Sequence, residues 1–253
     1  MARKRNLYTN KSERDKPFKL SRSKVDLFLD CPRCFYIDRK MGVGRPPSFP
    51  FNLNNAVDEL LKNEFDYYRT QKQPHPYMIE NNINAIPYTH KLLDDWRANF
   101  KGVTYLDSKS NLLFTGAIDD LWIDLDSNEL IVVDYKATSK KDEVTINEPW
   151  QIAYKRQIEF YQWLLRMNQE NVSNTAYFVY LNGKKDNLFE NKLDFVAKVL
   201  PYEGNTDWIP PVITQIFDVL ESNVIPESSI YCEYCIYVTE FSFFIKHGLD
   251  NTV

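Results

Sequence analysis

The chain has 253 residues, enough for one large domain with a sizeable core, and its 43% hydrophobic and 26% charged content is ordinary for a soluble globular protein. The net charge of −4 excludes a uniformly basic surface, so any site for a polyanion must concentrate positive charge locally. Glycines are few, at seven, and no G-x-x-x-x-G-K-[ST] occurs, which removes a phosphate-cradling P-loop from the sequence and assigns any ATP-driven step to a partner. No apolar run reaches membrane-spanning length and the N-terminus lacks an apolar signal core, so the chain is expected to be cytosolic.

Residues 1–16 carry Arg3, Lys4, Arg5, Lys11, Arg14 and Lys16 with few apolar anchors, which predicts a basic flexible tail ahead of a single domain spanning 17–253. Ser23 is a predicted N-cap for a helix begun by Val25, Leu27 and Phe28, and Pro32 should break it. Cys31 and Cys34 form C-x₂-C, and Cys232 and Cys235 form a second C-x₂-C near the far end. Two such pairs in a chain expected to be reduced point to a tetrahedral Zn²⁺ or an iron–sulfur cluster that staples both ends of the domain. Gly and Pro mark 42–52 as a loop. A helix over 53–69 follows, with Leu53, Val57, Leu60, Leu61 and Phe65 on one face and Asp58 beside it. Residues 71–90 read as an irregular insertion with His75 and His90 at the surface, and a short helix is expected over 88–99.

The next stretch organises the rest. Residues 113–125 and 130–137 read as two strands around a polar turn, the second, LIVVDYKA, apolar on both faces and so central in a sheet. Asp134 and Lys136 share one face of that strand. With Ser127–Asn128 as a two-residue loop, Asp119 falls opposite Lys136 and diagonal to Asp134, at Cβ separations of about 5 Å and about 7–8 Å; a one-residue slip would substitute Asp120. Two carboxylates beside one ammonium suit a Mg²⁺ or Mn²⁺ site, and a structural Asp–Lys pair is the alternative.

After the polar segment 139–143, residues 150–169 form an amphipathic helical pattern that stacks Gln157 and Tyr161 on one face, with Lys155 and Arg156 nearby. Thr175–Leu181 alternates as a strand, Asn182–Gly183 reads as a turn, and 189–200 as a returning strand. Residues 208–222 read as a helix and 239–253 as a tail with an aromatic cluster.

G-A-I-D at Gly116–Asp119, D-Y-K at Asp134–Lys136 and the later Q-x-x-x-Y of Gln157 and Tyr161 resemble the PD-(D/E)xK nuclease superfamily in its RecB-like branch, as in iron–sulfur CRISPR-adaptation and AddB-type nucleases. The resemblance implies a restriction-endonuclease-like α/β core, a mixed central sheet flanked by helices, with the termini joined by a four-cysteine metal site. It also implies a metal-dependent deoxyribonuclease acting on single-stranded ends or flaps in repair, recombination or phage and defence processing, an exonuclease rather than an endonuclease. Asp119, Asp134 and Lys136 would be catalytic. Mg²⁺ or Mn²⁺ would bind Asp119, Asp134, the Tyr135 backbone carbonyl and Asp58, which aligns with a family histidine. Gln157 and Tyr161 would position DNA. A separate helicase or a recombination or adaptation protein is the implied partner. The iron–sulfur branch places one Cys before the core and three after it; Cys31, Cys232 and Cys235 match, no Cys follows Cys235, and Cys34 would stand in. A [4Fe–4S] cluster is therefore expected, with Zn²⁺ as the alternative. A catalytically silent DNA-binding or assembly module of the same fold is the competing function.

Overall fold

The structure is a computed structural model that describes residues 6–47, 52–186 and 188–248. Arg3, Lys4 and Arg5, residues 48–51 of the expected loop and 249–253 of the expected tail lie outside the described residues. In chain order the elements are β1 (Phe18–Ser21), α1 (Arg22–Asp30), α2 (Pro32–Lys40), α3 (Asn52–Gln71), α4 (Pro76–Glu80), β2 (Ala85–Pro87), α5 (Leu93–Arg97) and β3 (Val103–Asp107). They continue as β4 (Leu112–Gly116), β5 (Asp120–Asp124), β6 (Leu130–Thr138), α6 (Ile152–Met167), β7 (Thr175–Gly183), β8 (Phe195–Glu203), α7 (Ile209–Glu221) and α8 (Glu233–His247). The chain divides into two compact units, Phe49–Tyr105 with Phe114–Ile209, and Met1–Ser48 with Leu106–Leu113 and Pro210–Val253.

The first unit is built on a mixed sheet of order β2-β5-β6-β7-β8. β6 pairs antiparallel with β5 and parallel with β7, while β2 and β8 close the edges antiparallel. β6 is central because it is apolar on both sides: every residue from Leu130 to Tyr135 is buried. Ile131, Val133 and Tyr135 share one face, and they join Val57, Leu61 and Phe65 of α3, with Trp122 and Val179, in one hydrophobic cluster. Phe65 is fully buried and stacks on Trp122 at 5.6 Å. Burial of such a ring contributes about 1.5–3 kcal/mol. Leu53 and Leu60 stay exposed, so the buried stripe of α3 is narrower than its apolar pattern suggests. The other face of β6 carries Asp134, which Gln157 of α6 meets. α3 and α6 therefore flank opposite faces of the sheet.

Several expectations change. Residues 113–125 are two strands, β4 and β5, in different sheets, with the chain leaving strand geometry between them. Five residues, 125–129, separate β5 from β6, with Asn128 at φ 58 and the Asp124 N–H donating to the Glu129 carbonyl at 3.0 Å. Register shifts by two: Asp120 pairs with Val133, which brings Asp119 level with Asp134 rather than Lys136. A shift of two keeps side-chain parity, so the face assignment survives. The insertion at 71–90 contains α4 and β2, too short to show a period. His75 is fully buried: its Nδ1 accepts from the Tyr77 N–H at 3.1 Å, its Nε2 meets Glu64 at 3.0 Å, and its ring stacks on Phe65. His90 is stacked on Trp96 at 4.2 Å. Asn182 and Gly183 extend β7 instead of turning.

The second unit contains β1, α1, α2, α8, most of α7, and a sheet of order β1-β4-β3 whose β3 and β4 carry the chain across the division. Pro32 separates α1 from α2 and begins the latter at its first turn, where a missing N–H costs nothing. Part of the expected flexible tail is held here. Tyr8 is buried, packs edge-on against Phe18, and donates its hydroxyl to Glu221 at 2.5 Å. Arg14 donates to the carbonyls of Asn111 at 2.6 Å and Ser110 at 2.8 Å. Lys40 donates to the Leu220 and Ser222 carbonyls at 2.9 and 2.6 Å, which caps the C-terminus of α7. The expected C-terminal tail is helical through α8 as far as His247.

Asp38 of α2 is 2% exposed and pairs with Lys24 at 2.5 Å and Arg39 at 2.8 Å. Burial opposes its charge, but Lys24 and Arg39 outweigh burial and hold the carboxyl below its ordinary value. A depressed carboxyl contributes stability that is complete above its unfolded pKa of about 4 and is lost as pH falls through the folded value. Asp38→Asn should therefore destabilise the fold at pH 7 and progressively less below about pH 4, read as the wild-type minus variant difference in urea unfolding midpoint.

Candidate active site

Four segments of the first unit meet at one end of β6. The strand supplies Asp134 and Lys136 on one face, the approach to β5 supplies Asp119, α3 supplies Asp58 and Lys62 one turn apart, and α6 supplies Tyr154 and Gln157. Asp58, Asp119, Tyr135, Lys136, Tyr154 and Gln157 border an open cleft of about 590 Å³.

The contacts fix each group. The Lys136 ammonium is ion-paired with Asp134 Oδ2 and lies 4.8 Å from the centre of the Tyr154 ring. Asp134 Oδ1 accepts from Gln157 Nε2 at 2.7 Å, and the same amide donates to the Tyr161 hydroxyl at 3.2 Å. Asp119 Oδ2 accepts the Tyr135 backbone N–H at 3.0 Å, and its Oδ1 is 3.5 Å from Lys62 Nζ. Lys62 also donates to Asp58 Oδ2 at 2.7 Å. The Tyr135 carbonyl lies 3.5 Å from Lys136 Nζ.

Electrostatics divides the carboxylates. Burial pushes Asp134 up to about 7; Lys136 pulls it down and the Asp119 charge raises it. Burial also opposes the charge of Asp119, yet Lys136, Lys62 and the Tyr135 amide hold that carboxyl below its ordinary value. Asp58 is raised by burial and then by Asp119. Burial disfavours the charge on Lys136, but Asp134 and Asp119 keep the ammonium raised. Three carboxyl groups crowded around two amines leave an excess of negative charge, which a divalent cation would neutralise.

The residues fit such an ion. Among the described residues, Asp58 Oδ1 is a buried oxygen without a hydrogen-bond partner, while Asp134 Oδ2 has the Lys136 ammonium as its ion-pair partner. Hard oxygen donors of this kind suit Mg²⁺ or Mn²⁺. Asp119, Asp134, Lys136, Asp58 and the Tyr135 carbonyl are thus assembled together. Gln157 borders the cleft, whereas Tyr161 is only 4% exposed and sits beneath it. Gly116 makes room for that ring: a Cβ there would come within 2.6 Å of Tyr161 Cε1. Lys155 turns away, its ammonium over the Tyr202 ring at 5.7 Å.

Sequence reasoning missed Lys62, whose spacing of four from Asp58 was the available signal. It also missed a buried network behind the cleft. Asp120, fully buried, receives Arg69, Arg97 Nη2 at 2.7 Å and the Tyr135 hydroxyl at 2.6 Å. Arg97 also grips both Asp66 oxygens, at 2.9 and 2.8 Å, and the Asp119 backbone carbonyl at 3.0 Å. Asp120 and Asp119 therefore face opposite sides, one locking the backbone and the other facing the cleft.

The four cysteines gather in the second unit, their Sγ atoms all within 4.8 Å of one another and none in a disulfide. They come from both ends of the chain, and soft thiolates at such a spacing suit a metal.

The profile of the PD-(D/E)XK nuclease superfamily matches residues 19–239. A search of curated proteins gives no match. Among solved structures, the chain is similar to a candidate exonuclease from Eubacterium rectale, at 14% identity and a TM-score of 0.41, covering 90% of each chain.

Removing Asp120 strands two buried guanidinium groups. Asp120→Ala should cost about 3–5 kcal/mol in denaturant unfolding, and Asp120→Asn less, because the amide oxygen still accepts from arginine.

Proposed function

The chain belongs to the PD-(D/E)XK nuclease superfamily, and on that premise we propose a metal-dependent deoxyribonuclease of the RecB-like branch that works on single-stranded ends or flaps. The reading is exonucleolytic, in repair, recombination or defence processing, with a separate helicase or recombination protein supplying the unwound strand. The observation that carries it is the cleft itself: Asp119 and Lys136 border it, the buried Asp134 is paired with Lys136, and Asp58 brings a buried carboxylate oxygen that has no hydrogen-bond partner.

Asp58, Asp119, Asp134 and the Tyr135 carbonyl are the residues that would hold Mg²⁺ or Mn²⁺. Such an ion supplies Lewis-acid polarisation of a phosphate oxygen and acidifies water. The chain's own groups do the rest. Lys136, kept protonated by its two carboxylates, donates to the attacking water or to the phosphate oxygen on which charge develops. Gln157 holds Asp134 Oδ1 and so leaves Oδ2 turned to the Lys136 ammonium. Tyr161 acts through Gln157 as a positioning residue rather than by touching DNA. Lys62 offsets the charge of Asp58 and Asp119.

An aromatic and basic path leads away from Lys136. Its ammonium faces the Tyr154 ring, Tyr154 packs edge-on against Trp150 at 5.5 Å, and Trp150 carries Lys140 over its ring at 5.2 Å. Trp150 is 53% exposed. Lys140 and Lys141 then border a cavity of about 780 Å³ together with Lys184, Lys185 and Lys198, and with Asp142, Glu143 and Asp186. Rings followed by amines match the alternation of bases and phosphates along a single strand. This concentrates positive charge locally in an acidic protein, as the composition requires.

The competing reading is a silent DNA-binding module of the same fold. It is disfavoured because Asp134 is in contact with both Lys136 and Gln157, and Asp119 is anchored beside them on the Tyr135 amide.

Labelled single-stranded DNA should be degraded in Mn²⁺ and not in EDTA. Asp134→Ala and Lys136→Ala should each lower the rate at least about 100-fold while leaving strand binding measurable. Binding without cleavage across metals and substrates would establish the silent module instead. Trp150→Ala should weaken single-strand affinity about 5- to 100-fold with kcat nearly unchanged, since stacking on one ring contributes about 1–3 kcal/mol; an unaltered affinity would remove the path from the proposal.

A further inference from the structure

The spacing of the four sulfurs distinguishes between metals. Cys34 Sγ lies 3.5 Å from Cys232 Sγ and 3.6 Å from Cys235 Sγ, and Cys31 Sγ lies 3.8 Å from Cys235 Sγ. A tetrahedron with metal–sulfur bonds of about 2.3 Å has edges of about 3.8 Å. The thiols therefore already stand at the corners of a shell around one small ion. In a four-iron cubane each cysteine binds a different iron. Its sulfurs are held apart by the iron–iron edge plus the outward run of two Fe–S bonds, well beyond the 4.8 Å that encloses all four here. The [4Fe–4S] cluster expected from the family resemblance does not fit these residues.

The surroundings agree. Cys31 and Cys232 are buried, as a closed structural site requires, whereas Cys34 and Cys235 edge an open cavity of about 270 Å³ through which an ion can enter. Four thiolates around one Zn²⁺ leave two negative charges. Arg45 is placed to offset them: its Nη2 donates to Cys232 Sγ at 3.5 Å, and its guanidinium lies over the Tyr234 ring at 4.7 Å. Asp30 tethers the same guanidinium at 3.6 Å.

We propose that Cys31, Cys34, Cys232 and Cys235 form a closed tetrahedral zinc site, with Arg45 as the donor that offsets its charge. Binding replaces the thiol protons with a single Zn²⁺ and involves no electron transfer. The site fastens the two ends of the chain within the second unit and has no part in strand cleavage.

The full chain, purified without oxygen from cells supplied with both iron and zinc, is the sample. Elemental analysis should give about one zinc per chain, no stoichiometric iron or acid-labile sulfide, and no absorbance band near 400 nm. Stoichiometric iron with sulfide overturns the proposal, as does full-length folded protein with four titratable thiols and no metal. Competition with a chromophoric chelator should show Arg45→Ala binding zinc about 10- to 100-fold more weakly, and unchanged affinity would remove Arg45 from the site. Metal content is read without a cleavage assay, so this outcome is separate from that of the nuclease reading.

Discussion

A carboxylate in the middle of a sheet is expensive to ionise, and Asp134 has no solvent exposure at all. Its charge is tolerable only because Lys136 sits on the same face of β6 and Gln157 reaches across from α6. That arrangement places constraints in every direction. β6 must be central, so that both helices can approach it. Asp119 must stop short of β5 pairing, so that its carboxylate can turn back to the Tyr135 amide. Glycine must stand at 116, because any side chain there would displace Tyr161 and with it Gln157.

The site is built in two shells of opposite character. Facing the cleft, carboxylates outnumber amines, and Asp58 and Asp134 are both raised by burial and by a neighbouring carboxylate. This is poor for stability and would suit the capture of a cation. Behind it, Asp120 is matched by Arg69, Arg97 and the Tyr135 hydroxyl in a fully buried network. The second shell fixes the backbone on which the first is mounted, because Arg97 also holds the Asp119 carbonyl. Adjacent aspartates in one sequence thus serve opposite ends, one in the bend before β5 and the other at its first residue.

The cysteine unit solves a different problem. The segments that carry its ligands are nearly 200 residues apart, as in the Cys34–Cys232 contact. Lys40 capping the end of α7 and Arg33 bound to the Pro226 carbonyl and to Glu227 hold the two segments together before any ion arrives. The affinity of a metal held there would add directly to the stability of that unit.

Periodicity alone determined much of this. The two-residue repeat of LIVVDYKA placed Asp134 and Lys136 on one face, and parity preserved that face when the register moved by two residues. Helical spacing set Gln157 below Tyr161, and composition required any positive tract to be local. The paired C-x₂-C motifs marked the four cysteines that gather in the second unit. Tertiary structure decided what no local pattern encodes. It chose which apolar residues of α3 are buried, leaving Leu53 and Leu60 outside. It buried His75 against Phe65, although the flanking polar and proline-rich sequence reads as surface. It made α8 a helix where an aromatic-rich segment shows no clean period. It also set the distance between sulfurs, and so the size of the metal they can enclose. Local sequence fixes directions along a strand or a helix, whereas separations between segments remote in the chain arise only when the whole fold closes around them.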